Sequence, residues 1–232
     1  MDNSAADVSI ILPVLNEAGN INDIIDHLCA LNRYFNIEII VVDGDPQGST
    51  VRAIKDRDVC TLISERGRAR QMNHGASAAS GNVLLFLHAD TRLPENAFVF
   101  IVSQMFDRRC VAGAFDLGFD SRRIIFRITE VYAFLRTRLT RVPFGDQAIF
   151  VRKEYFLRIN GYRDIPIMED VELMQRIKKT GSRIAIIPKK VRTSPRRYER
   201  EGILYCTLRN WTMQLLYLLG ASPERLAKWY RS

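Results

Sequence analysis

The sequence predicts an α/β domain built on a mostly parallel sheet flanked by helices, and three observations carry that expectation. Short continuous apolar runs alternate with segments whose apolar residues recur at helical spacing. The runs are strand-length and rich in Val and Ile, as strands buried on both faces are. Polar loops follow several of these runs, and such sheets bind ligands beyond the carboxyl ends of their strands.

The first half gives the clearest pattern. Val8 to Val14 reads as a buried strand, and Ile21, Ile24, Ile25 and Leu28 then fall on one face of a helix. Ile37 to Val42 is a second buried strand, Ser49 to Arg57 a helix, and Thr61 to Ile63 a short third strand. Gly67 to Ser80 is Ala-rich and free of Pro, which predicts a helix closed by Gly81. Val83 to Leu87 is a core strand, and Phe98, Ile101, Val102 and Met105 repeat the helical spacing after Pro94 as a first-turn residue.

The second half is less regular. Val111 to Phe119 alternates like a sheet edge, Arg122 to Arg138 reads as a helix, and Ala148 to Arg152 as a strand. Asp170 to Lys179 is helical up to Gly181, and Ile184 to Ile187 is extended. Ile203 to Leu219 is an aromatic-rich helix broken by Gly220, with Pro223 opening a last one. No repeat or linker interrupts the chain, so one continuous domain is expected.

A 232-residue chain buries roughly 70–75% of its unfolded surface and needs no staples. Cys29, Cys60, Cys110 and Cys206 are scattered, without the spacing of a metal cluster, which points to a reducing cytosol. Met1 to Asp7 has no basic start followed by an apolar core, so no leader is expected. The formal net charge of +8 favours anionic partners such as phosphorylated small molecules or acidic headgroups. No basic run alternates with aromatics, so nucleic acid is not an expected partner.

Three acidic sites sit at predicted strand ends: Asn16-Glu17, Asp43, and His88-Ala89-Asp90. A carboxylate there can accept from a base or ribose, hold a divalent cation, or merely cap the next helix. Three of them converging on one sheet edge favour ligand chemistry.

The stretches SIILPVLNEAGNI (9–21), VVDGD (41–45), RGRARQMNHGASAASGNVLLFLHADT (66–91) and GDQAIFVRKEYFLRINGYRDIPIMEDVELMQRIKKTG (145–181) resemble the family 2 glycosyltransferases. The resemblance spans nearly the whole chain in the family's order. It looks closest to a short branch with LHADT, GDQ and MEDVEL motifs, some of whose members have been associated with arsenosugar biosynthesis. It implies a GT-A fold, with residues 1–92 as the nucleotide-sugar half, 93–198 as the acceptor half and 199–232 as C-terminal helices.

The same resemblance implies roles residue by residue. Pro13, Asn16 and Glu17 line the nucleotide pocket, and Asp43 reads the nucleobase of a UDP-sugar. Arg68, Arg70 and Asn73 contact base and phosphates. Asp90 stands at the metal-binding D-x-D position and holds Mg2+ or Mn2+. Asp170 is the general base of an inverting transfer, with Asp146, Gln147 and Glu169 on the acceptor side, while Arg196 and Arg197 clamp the diphosphate. Two positions depart from the family pattern. His88 replaces the first acid of D-x-D, and Asp45-Pro46 replaces a Ser-containing run, where Asp45 shapes a turn or takes a binding role.

Two rival readings follow from the same residues. A nucleotidyltransferase would need a Gly-rich, basic phosphate signature that LNEAGN lacks. An inactive nucleotide-sugar binder or membrane adaptor draws on His88 and the apolar C-terminal helix, but it has no use for Asp170. That helix carries Trp211 and Tyr217 beside Arg209, Asn210 and Gln214, too polar for a span, so it is expected to pack, to dimerise or to lie on a membrane. The expected location is cytoplasmic, peripheral to the inner membrane face if the helix binds lipid.

Overall fold

Val8–Val14 forms strand β1, almost wholly buried, as an apolar run of strand length dictates. The computed structural model describes residues 6–32, 34–56 and 58–231, the side chain of Arg231 excepted. Most of the Met1 to Asp7 segment, and Arg57, therefore lie outside the described residues. β1 has β2 (Ile37–Asp43) on one side and β4 (Val83–Phe86) on the other, both parallel to it. β3 (Cys60–Ile63) extends this group beside β2.

Beyond β4 the sheet changes direction. β7 (Phe150–Arg152) runs antiparallel to both β4 and β6 (Cys110–Phe119). β8 (Arg183–Thr193) is parallel to β6, and β5 (Thr91–Arg92) is antiparallel to β8. The order is β3-β2-β1-β4-β7-β6-β8-β5. The segment expected at a sheet edge is instead β6, buried along its length between β7 and β8. Its alternation is that of a strand between two layers, with Phe115 on one face and Ala114 on the other.

Two core layers sandwich the sheet, because alternate residues of each strand point to opposite sides. Ile10, Leu12, Val41 and Leu85 meet α1 (Ile21–Leu31) and α3 (Ala97–Met105). Ile11, Val42, Leu84 and Phe86 meet α2 (Arg68–Ala78), α5 (Lys153–Arg158) and α6 (Glu169–Lys179). A third cluster joins the end of β6 to α4 (Ile124–Thr140), with Tyr198 of α7 (Arg196–Glu201) packed on it. α8 (Ile203–Leu218) and α9 (Pro223–Arg231) add Met213 and Leu226 to the α2 layer. Among the described residues no helix is long and apolar enough to cross a membrane.

Three local expectations are corrected. Only Val51–Ala53 turns helically among the described residues of the segment expected to be a helix; Asp43 accepts from the amides of Thr50 and Val51 and anchors the loop there. α2 stops at Ala78, and Gly81 is no cap. A Cβ there would lie 2.6 Å from Ser9 Oγ, so its hydrogen side chain lets the chain pass against β1. Pro94 precedes α3 instead of opening it, since Asn96 takes a left-handed φ of 59° just before the helix.

Candidate active site

In register, Val14 at the end of β1 faces Asp43 at the end of β2. Gln71 of α2 ties these two ends together: its Nε2 donates to the carbonyls of Val14 at 2.7 Å and Val42 at 2.8 Å. Gln71 was not among the residues singled out in the sequence. A buried Gln in an Ala-rich helix, one turn from Arg68, is the only signal that could have found it.

Asp43 is fully buried and its carboxylate is engaged by the loop that follows. Oδ1 accepts from Asp45 N at 3.0 Å, and Oδ2 from Thr50 N at 2.8 Å and Val51 N at 3.3 Å. Asp45 makes the turn, accepting from the amides of Gln47 and Ser49, and the nearby Ser49 hydroxyl, then the Gln47 amide, lower its carboxyl from the ordinary range. Thr50 Oγ1 in turn accepts from Glu17 N at 3.1 Å. The Glu17 carboxylate accepts from Asn20 at 2.7 Å, and Asn16 makes the turn with φ 59°. Pro13, Asn16, Glu17 and Asp43 thus share one sheet edge, with the backbone of their loops cross-tied.

The second group gathers around α6. Met168 adopts a left-handed φ of 65° and sets the helix start, so Glu169 and Asp170 occupy its first turn, where the helix dipole favours negative charge. Asp170 accepts from Gly145 N at 2.5 Å and Val171 N at 2.8 Å. Glu169 is buried and paired with Arg68 at 2.7 Å. Burial pushes the Glu169 carboxyl up against the pull of that guanidinium, and the same pair raises Arg68.

Arg68, His88, Asp90, Asp146, Asp170 and Arg197 all line one cavity of about 210 Å³. Asp146 Oδ1 is buried there without a hydrogen-bond partner, and burial raises this carboxyl to about 6. Burial, and then the Arg68 guanidinium, lower His88, which favours the neutral imidazole. The opposite wall is aromatic and belongs to α4, α8 and α9. Tyr132 stacks on Trp211 at 4.8 Å, and Arg136 lies 3.5 Å above the Phe144 ring. These wall residues were missed because they come from helices remote from one another in sequence. A second cavity, about 230 Å³, shares Asp90 and adds Asn20, Asp120, Arg192 and Arg196. Arg196 donates there to Asn20 Oδ1 at 2.7 Å.

Several expected residues face neither cavity. Arg70 pairs with Glu65 and with Asp164 at 2.8 Å, on the surface. Asn73 spends both ends of its amide on Tyr162, accepting from its N at 2.9 Å and donating to its O at 2.8 Å. Gln147 is fully buried, bonded to Arg136, Thr137, Phe144 and Phe115. Each holds a loop that carries a cavity residue.

Residues 9–163 match the family described as glycosyl transferase family 2. The chain belongs to that family. A curated relative from Sulfolobus acidocaldarius, named a probable glycosyltransferase, is 25% identical over 201 residues, covering 76% of this chain and 43% of its own length. The chain therefore spans less than half of that relative's length.

A mannosyltransferase from Pyrobaculum calidifontis, solved with GDP-mannose and Mn2+, superposes with a TM-score of 0.65 at 21% identity, over 83% of this chain and 57% of that one. Glucosyl-3-phosphoglycerate synthase from Mycobacterium tuberculosis, solved with Mn2+, UDP and its product, gives 0.59 at 17% identity, over 80% and 70%. These likenesses establish the GT-A fold for the chain.

Among the described residues no three acids, histidines or cysteines cluster tightly enough to hold a metal alone. The donor set nonetheless suits Mg2+ or Mn2+, which take one or two carboxylates and complete their shell with water and phosphate oxygens. Asp90 supplies one carboxylate to the cavity, and Asp146 presents an unpartnered oxygen to the same space.

Proposed function

We propose that this glycosyltransferase moves a sugar from a nucleoside-diphosphate donor, preferably a UDP-sugar, onto an acceptor hydroxyl with inversion at the anomeric carbon. The observation that carries the reading is the facing of Asp90, Asp146 and Asp170 with Arg68 and Arg197 around one cavity at a strand-end edge. Residues 1–92 supply the donor side, 93–198 the acceptor side, and the C-terminal helices of 199–232 share the aromatic wall with α4.

On this reading Asp43, through the loop it orders, and Glu17 shape the nucleoside pocket. Arg68, Arg196 and Arg197 face the phosphates, whose oxygens match guanidinium forks. The uridine preference rests on the family resemblance; among similar structures, one was solved with GDP-mannose and others with UDP. Asp90 holds the divalent ion, which, when bound with the donor, offsets charge on the departing diphosphate. Asp170, at the head of α6, takes the acceptor proton. The Gly145 and Val171 amides fix its carboxylate, so the orientation is set before substrate arrives.

The unpartnered Oδ1 of Asp146 favours a second assignment within the same reaction. Its oxygen is free to accept the acceptor proton, whereas both oxygens of Asp170 already accept amide protons. Transfer assays on Asp170→Asn and Asp146→Asn decide between them. The true base loses turnover while its variant still binds donor, and the other variant changes acceptor affinity first. A donor screen by thermal shift, with and without Mn2+, tests the whole reading: no stabilisation by any nucleotide sugar would refute it.

A further inference from the structure

α4 has two faces of different character. Its inner face lines the cavity through Thr129, Tyr132, Ala133 and Arg136. Its outer face carries Ile124, Ile128, Val131, Leu135 and Leu139, spaced four, three, four and four residues apart and therefore on one stripe. All five are exposed, Leu139 by 82% and Ile124 by 77%. Soluble surfaces scatter large apolar residues singly and seldom align them along a helix of this length.

α8 repeats the arrangement. It meets α4 at the Tyr132–Trp211 stack and through Gln214, which accepts from Tyr132 and Arg136. Next to that contact it exposes Leu204, Leu208, Leu215 and Leu219. The helices that wall the cavity thus turn apolar stripes outward on either side of their own junction.

Charge identifies what covers this surface. Arg122 and Arg123 precede the stripe of α4 and Arg141 follows it, all three exposed. None of them has a carboxylate within ion-pair reach among the described residues. The only acid within α4, Glu130, is buried and already paired with Arg127 and Lys190. An apolar stripe with basic ends fits anionic headgroups over an acyl layer. A second copy of the chain is a poorer fit. An antiparallel, two-fold pairing of α4 would set Arg122 and Arg123 against the partner's Arg141, and like charges at an interface oppose association.

We propose that α4 and α8 form a docking face for an anionic membrane surface, with the cavity wall held against the headgroup layer. The inference does not depend on the donor or base assignments, because lipid binding is measured without substrate.

The test is sedimentation of the full chain with vesicles of phosphatidylcholine alone, or of phosphatidylcholine and phosphatidylglycerol in equal parts. Binding is expected on the anionic vesicles and not on the neutral ones, and to weaken as salt is raised. Ile128→Glu with Leu135→Glu should lower partitioning at least about tenfold, since both side chains are exposed and would enter the acyl boundary. Arg122→Gln, Arg123→Gln and Arg141→Gln together should lower it about a hundredfold on anionic vesicles. This second variant leaves the apolar stripe untouched and serves if the first fails to fold. Absence of binding to anionic vesicles overturns the proposal. So does a dimer in sedimentation velocity that Ile128→Glu with Leu135→Glu dissolves, which would make a second copy the occupant.

Discussion

Asp170 Oδ2 accepts a 2.5 Å hydrogen bond from the backbone N–H of Gly145, joining the head of α6 to the loop that carries Asp146. The close approach favours a glycine. A Cβ at Gly145 would lie 3.1 Å from that same oxygen and 3.3 Å from His88 Nε2. In Asp170→Asn the amide oxygen can still accept from Gly145, so folding should survive. If Asp170 is the base, turnover should fall about 10²- to 10⁴-fold with donor affinity unchanged. Gly145→Ala should lower turnover too, by displacing the carboxylate, with little change in melting temperature. Near-wild-type turnover in Asp170→Asn would pass the role of base to Asp146.

Asp146 makes the pH prediction. Burial raises its carboxyl from 3.8 to about 6, so the folded state holds this proton more tightly than the unfolded chain. Stability contributed by the group is complete below about 4 and lost as pH rises through about 6, by linkage at most about 3 kcal/mol. Asp146→Asn should therefore raise the melting temperature at neutral pH and flatten its dependence across that window, while reducing transfer. Such opposition is usual for groups kept strained for function. An unchanged or lower melting temperature at neutral pH would mean the carboxylate is well solvated or paired in solution.

The sequence carried the first half of this fold more clearly than the second, for a physical reason. β1, β2, β4 and α1 are legible because each carries its apolar run or helical spacing within its own residues, whatever it packs against. The Ser49–Arg57 segment turns helically only over Val51–Ala53 among its described residues, and its tie to the buried carboxylate of Asp43 is a tertiary contact that local periodicity does not show. β6 passed for an edge because its burial depends on β7 and β8, which follow it in sequence. The candidate site divides in the same way. Strand-end residues such as Asp90 were legible from motif and position, and Asp90 does line the cavity. Arg70, Asn73 and Gln147 were given ligand roles, yet their hydrogen bonds hold loops, which only the three-dimensional partners reveal.

Gln71 tests how far those loops depend on support from α2. It is 4% exposed, and its Nε2 satisfies two buried carbonyls at once, at the ends of two different strands. Gln71→Leu keeps the volume and removes both hydrogen bonds; the Val14 carbonyl keeps the Gly44 amide at 2.9 Å, and a buried group left without a partner costs about 1–3 kcal/mol. The expected result is a lower melting temperature, with weakened nucleotide binding because the loops after β1 and β2 lose their common tie. Wild-type stability in Gln71→Leu would show that water replaces the amide.

The metal assignment rests on a division of labour between protein and substrate. No three ligating residues cluster among those described, so the chain should bind Mn2+ weakly by itself and firmly only with a diphosphate present. Thermal stabilisation by a nucleotide sugar should therefore require the ion. A ligand at a hundredfold excess over its dissociation constant adds about 2.7 kcal/mol, enough to move the melting temperature by several degrees. Asp90→Ala should abolish the manganese-dependent part of the shift and leave the unliganded melting temperature nearly unchanged. The Asp90 carboxylate supports that second half, since among the described residues it accepts only a 3.3 Å hydrogen bond from Thr91 Oγ1. A shift of equal size in excess chelator would remove the metal from the reaction. The positive charge at the diphosphate would then fall to Arg68, Arg196 and Arg197, and their single Gln variants would become the decisive ones.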